Sequence, residues 1–329
     1  MSNQSNCIDP RGDVSLKIKT PEKEVTAVFL ACSRALARAS PVFDRMLYGN
    51  FAEAKSNNSN TTDWIVKLED EKPAPMETFL NLAHSNFARI PKTFSIDNLY
   101  DLVVLTHYYD ATHLLAPWIE TWLSSVGEIV RDASDIMSKM IWITWELGRK
   151  EQFTIIARRM LMEAKEPWPS AADDSEAIQA PPYIIGIQRI NAVRNQTIQE
   201  LLDIIRDMVG KLIIVDEQPR WCRHATWMGH HRCESMLLGS MTFCLARAGL
   251  WPVPEVSLLE MSLVDLHRTL TSLIIHDIGE TSEKPVIDHR ECNPGPYLLD
   301  KVQRVMSNIP STVTDYHFKC LDERAKSLK

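Results

Sequence analysis

Apolar and polar residues alternate near the start of the chain. Val14, Leu16 and Ile18 fall on one side and Ser15 and Lys17 on the other, a period of two that predicts a strand. After the turn-forming Thr20-Pro21-Glu22-Lys23, apolar residues resume from Val25 to Phe29, as in a hairpin. The period then changes. Leu36 belongs to a short Ala-rich helix, and Ser40-Pro41 closes it and opens a second, because serine accepts an orphan amide and proline tolerates the first helical position. Phe43, Met46 and Leu47 form the inner side of the second helix. Gly49 is expected to end it in the left-handed conformation, and Phe51-Ala52-Glu53 follows directly.

Downstream, Trp64, Val66 and Leu68 alternate as a third strand, and Pro75 opens a helix carrying Met76, Phe79, Leu80 and Leu82. Ser95 caps another helix, with Leu99, Leu102, Val103 and Tyr109 on one side. Leu114, Leu115, Trp118, Ile119, Trp122 and Leu123 repeat at the spacing of a further helix. Residues 135–145 and 152–162 read as a helical pair docked on these last helices. Four prolines around Asp173-Asp174-Ser175-Glu176 mark residues 166–182 as a linker. Beyond it the periods are helical at 187–215, 226–248, 257–276 and 297–309, the last expected to be the final long helix. Arg194 and Thr197 interrupt the apolar stripe of the first of these, which favours packing within the chain over a coiled coil. The resulting division is a polar tail at 1–12, an α+β domain at 13–125, a helical extension at 126–165, the linker at 166–182, and an all-helical C-terminal domain at 183–329.

Asp13, Val14, Leu16, Phe29, Leu36, Ser40, Val42, Phe43, Met46, Leu47, Gly49, Phe51 and Glu53 together resemble the pattern of the BTB (POZ) domain, with one departure: Cys32 stands where that family usually has histidine. His107-Tyr108-Tyr109-Asp110 and the stretch Pro117-Trp118 to Trp122 are most similar to fungal BTB proteins with helical C-terminal regions. The resemblance implies a small β-sheet flanked by helices, and a non-enzymatic protein-interaction adaptor. In family members that serve cullin-type ubiquitin ligases as substrate receptors, an apolar residue, any residue and Glu meet the cullin. Phe51-Ala52-Glu53 matches that motif, so Phe51 is the candidate anchor and Glu53 the candidate rim contact. The same two residues also fit a local role, Phe51 beneath its own domain and Glu53 as a solvated charge. Strand-exchanged homodimers of the family carry an extra helix before the first strand of the pattern. Residues 1–12 are too polar for it, so that dimer is not expected.

Composition narrows the classes. The chain has 329 residues, enough for about two domains. No apolar run reaches the roughly 18 residues of a membrane span, and no secretory signal opens it, so an intracellular site, cytoplasm or nucleus, is expected. A net charge of −7 without a basic block argues against a nucleic-acid partner. Arg11-Gly12-Asp13 reads as a structural turn, and the two Asn-x-Ser/Thr sequons of residues 56–63 as chance in an Asn-rich loop.

Seven cysteines in an intracellular chain are expected to be thiols or metal ligands. Cys222-Arg223-His224, His289-Arg290-Glu291-Cys292 and His317-Phe318-Lys319-Cys320 each place donors at chelating spacing. Cys222, His289, Cys292 and Cys320 are the preferred ligands of a structural zinc, with His224, His230, His231, Cys233 and His317 as reserves. Cys244, among Met241, Phe243 and Leu245, reads as a small core residue. No other cofactor is expected. No nucleophile elbow, phosphate-binding glycine loop or His-Glu-x-x-His motif occurs. Two alternatives stay open: a BTB scaffold that binds no cullin, and a zinc-dependent or thiol enzyme in the helical half.

Overall fold

The structure, a computed structural model, describes residues 5–19, 25–55, 64–69, 71–126, 134–168, 186–213, 221–222, 224, 230–280 and 286–328. The predicted hairpin turn at 20–23, the sequon loop at 56–63, most of the linker at 166–182 and the side chains of His230 and His231 lie outside the described residues. Two compact units emerge. Described residues 5–156 and 313–328 form one, and 157–168 with 186–312 form the other.

The first unit is built on a four-stranded sheet of β1 (Ser5–Cys7), β2 (Val14–Lys19), β3 (Val25–Ala31) and β4 (Ile65–Glu69), ordered β1-β3-β2-β4. β2 and β3 pair antiparallel with Leu16 opposite Phe29, while β4 runs parallel to β2. Val14, Leu16, Ile18, Phe29, Val66 and Leu68 are buried, as the period of two requires. Strand β1 corrects the expected polar tail. Ser5 to Cys7 pairs parallel with Val28 to Leu30, and Asn86 and Arg89 donate side-chain hydrogen bonds to the Ile8 and Cys7 carbonyls at 3.0 Å. Backbone pairing needs no apolar pattern, so this strand leaves no hydrophobic signature.

Helices α1 (Ser33–Ala39) and α2 (Pro41–Tyr48) abut at Ser40. The Ser40 amide closes α1 on the Leu36 carbonyl, and its hydroxyl both caps Phe43 N–H at 3.1 Å and donates to the Tyr109 carbonyl at 2.5 Å. Gly49 ends α2, but not by the expected left-handed turn. Its φ is −87°, and glycine fits there because a Cβ would collide with the Arg45 carbonyl oxygen. Helices α3 (Pro73–Ala83) and α4 (Ile96–Tyr108) complete the core, where Phe43, Phe79 and Tyr109 stack with centroids 4.5–5.8 Å apart. The single helix expected over 114–123 is instead a 3-10 turn, Thr112–Leu115, followed by α5 (Ile119–Val126). Helix α6 (Ser134–Glu146) packs on α4, and the division between units falls within α7 (Lys150–Glu163).

The second unit centres on α8 (Ile187–Ile213), against which α9 (His230–Arg247), α10 (Leu263–Thr271) and α11 (Gly295–Ser307) pack. Ile198, Leu201, Leu202 and Ile205 are fully buried. Arg194 and Thr197 do not break this stripe; they are inside it. The Arg194 guanidinium donates to the Ala164, Lys165 and Met261 carbonyls, and the Thr197 hydroxyl to the Val193 carbonyl at 2.7 Å, which is how polar groups persist in a core. Gly249, at φ +72°, takes the left-handed position after α9. The helix expected over 257–276 is shorter, reduced to α10.

The chain does not end its helices at 309. Helix α12 (Asp315–Ser327) follows and packs on α6 in the first unit, so the expected C-terminal domain loses its last segment. Arg324 of α12 and His107 of α4 both bind the buried Glu146 carboxylate, at 2.9 and 3.0 Å. Hydrogen bonding to Glu146, partly offset by burial, holds the His107 imidazole above its usual pKa. One carboxylate thus joins three helices of the unit. No helix among the described residues is long and apolar enough to cross a membrane.

Candidate functional site

Phe51-Ala52-Glu53 is positioned by an anchor on β2's lead-in. Asp13 accepts from the Ser33 amide and hydroxyl, both at 2.8 Å, and so caps α1, whose own N-cap residue Cys32 makes no side-chain cap. The Ser33 hydroxyl also meets the Tyr48 hydroxyl at 2.6 Å, which ties the end of α2 to the start of α1. Lys55 returns to Asp13 at 3.1 Å, and Trp64 Nε1 donates to the Glu53 carbonyl at 2.8 Å. Burial raises the Asp13 pKa, but its bonds to Ser33 and the nearby Lys55 outweigh that and hold it below the usual carboxylate range. Arg11-Gly12-Asp13 therefore carries a structural anchor.

The loop is fixed from below and open above. Ala54 is fully buried, whereas Phe51 is 56% exposed and the neighbouring Tyr48 44%. Glu53 is half-buried, with its backbone oxygen turned inward to Trp64. More than half of the Phe51 side chain therefore faces outward and is not enclosed by its own domain. An aromatic ring held outward by an ordered loop is suited to entering a partner's apolar pocket.

In the second unit three of the four preferred metal ligands converge. Cys222, Cys233, His289 and Cys292 are all buried, and their donor atoms lie within 4.8 Å of one another. Cys222 Sγ is 3.5 Å from His289 Nδ1 and 3.9 Å from Cys292 Sγ. The fourth member is Cys233, a reserve, and not Cys320. Cys320 sits on α12 in the first unit, and the matching His317 is occupied in capping that helix with Thr314. Cys244 is only half-buried and points its thiol at the Ile274 carbonyl, 3.0 Å away.

Hydrogen bonds tie the backbone around the donors to neighbouring segments. The Cys222 and Trp221 amides both donate to Glu234 Oε1, at 3.3 and 3.0 Å, which links the Cys222 strand of chain to the first turns of α9, where Cys233 lies. Trp221 Nε1 donates to the Cys292 carbonyl at 2.6 Å, and the His289 amide to the Gly279 carbonyl at 2.9 Å. Burial raises the Cys222 and Cys233 thiol pKa values, and mutual repulsion among the sulfurs adds to the shift. Burial, with His224 beside it, lowers that of His289. The His224 ring lies 5.6 Å from that of His289, and its Nε2 is buried without a partner among the described residues.

Sequence spacing revealed His289-x-x-Cys292 because both donors lie on one turn. Cys233 is eleven positions from Cys222 and adjoins them only through folding. The one local signal was its place just inside a helix that follows Cys222. Comparison with known families matches residues 4–118 to the BTB/POZ domain. No curated protein matches the chain.

Proposed function

The N-terminal part of the chain is a BTB/POZ domain, a protein-interaction module, and from that premise we propose that the protein is an adaptor whose exposed Phe51-Ala52-Glu53 loop docks on the N-terminal helices of a cullin, as a substrate receptor does. The observation that carries the reading is Phe51: a large apolar ring, 56% exposed, on a loop tied down at Gly49, Ala54 and Lys55. A preorganised anchor spends little conformational entropy on binding. Glu53 supplies the charged rim that fixes orientation. The helical second unit is the receptor for the target.

Self-association by strand exchange is not part of this reading. Affinity purification of the full chain, beside the double variant Phe51→Ala, Glu53→Ala, tests the adaptor. A cullin is expected with the wild type and not with the variant. Absence of any cullin from the wild type overturns the ligase reading and leaves a scaffold.

A further inference from the structure

We propose that Cys222, Cys233, His289 and Cys292 bind one zinc ion as a structural centre of the helical unit. Tetrahedral zinc, with Zn–S near 2.3 Å and Zn–N near 2.0 Å, places its ligand atoms roughly 3.5–3.8 Å apart. The Cys222 Sγ to His289 Nδ1 separation of 3.5 Å and the Cys222 Sγ to Cys292 Sγ separation of 3.9 Å lie close to those edges. The alternative cross-link fails on distance, since a disulfide holds its sulfurs near 2.05 Å. Three thiols and an imidazole turned toward a common point, all buried, have no better common partner than a soft, thiolate-preferring cation.

Ligand type and burial also define the role. Four protein donors fill a tetrahedral shell and leave no position for water, which is the pattern of a structural site and not a catalytic one. The centre joins the chain before α9 and the first turn of α9 to the 3-10 turn Arg290–Cys292 ahead of α11, which lies far along the sequence. Glu234 and Trp221 hold the backbone around the donors, which is the outer support that metal ligands need.

Metal analysis of the purified full chain should find zinc at one equivalent. Cys233→Ser should lose it, whereas Cys320→Ser should keep it, because Cys320 lies outside the cluster. Should Cys233→Ser fail to fold, cobalt substitution of the wild type gives an independent reading. Intense visible bands of tetrahedral cobalt with sulfur-to-metal charge transfer are expected. Wild-type protein that takes up neither zinc nor cobalt, or zinc retained in Cys233→Ser and lost in Cys320→Ser, would overturn the proposal.

Discussion

The two units use their most concentrated polar chemistry in opposite directions. In the first, Asp13 gathers Ser33 and Lys55 so that a loop is held with Phe51 facing outward. In the second, Cys222, Cys233, His289 and Cys292 face one another in the interior, and nothing of the cluster is presented to a partner. One network positions a surface and the other closes a core. Mutation should separate them: damage to the first should weaken the proposed recognition or a helix cap, whereas damage to the second should remove the cross-link proposed for that unit.

The largest effect is expected at the cluster. Apparent zinc binding contributes about 10–16 kcal/mol to folding in zinc-finger peptides, so Cys233→Ser or a strong chelator should abolish the second unit's cooperative unfolding transition. Calorimetry of the full chain with and without chelator reads it. An unchanged transition would mean that the helices need no staple.

Asp13→Ala comes next. It strips α1 of its cap and Lys55 of its partner, at a cost of about 1–2 kcal/mol in denaturant unfolding. Because the folded carboxyl is depressed, its contribution is present above the ordinary aspartate pKa and fades as pH falls through the folded value. His107 carries the opposite sign. Its folded pKa is raised, so its contribution is complete below the ordinary histidine range and is lost as pH rises through the folded value. His107→Gln should flatten that alkaline side of the stability profile while leaving the acid side intact.

How far these networks could be read from sequence follows the same division. Val14, Leu16 and Ile18, the Ser40-Pro41 junction and the Phe51 loop announce themselves within a few residues, because strand period, capping and loop chemistry are local. The strand Ser5–Cys7 does not, since its pairing uses backbone groups that every residue carries. Gly49 ends α2 where its sequence position predicts, but through a close carbonyl in place of a positive φ. Arg194 reads as an interruption of the stripe because its three carbonyl partners come from other segments. Cys233 takes the place that spacing assigns to Cys320 for the same cause. His317-x-x-Cys320 has the better local spacing, yet His317 is committed to the α12 cap, and only the folded unit brings Cys233 to Cys222.

The smallest effect on folding should accompany the largest on recognition. Phe51→Ala removes an exposed ring, so the unfolding midpoint should shift by no more than about 0.5 kcal/mol equivalent. Binding measures the claim directly: titration of the purified full chain with a cullin N-terminal helical region should give saturable association. Phe51→Ala should weaken it by about 2 kcal/mol, roughly thirtyfold, as an anchor in a pocket does. Wild-type protein that does not bind, or a Phe51→Ala variant that binds as well as the wild type, would contradict the account.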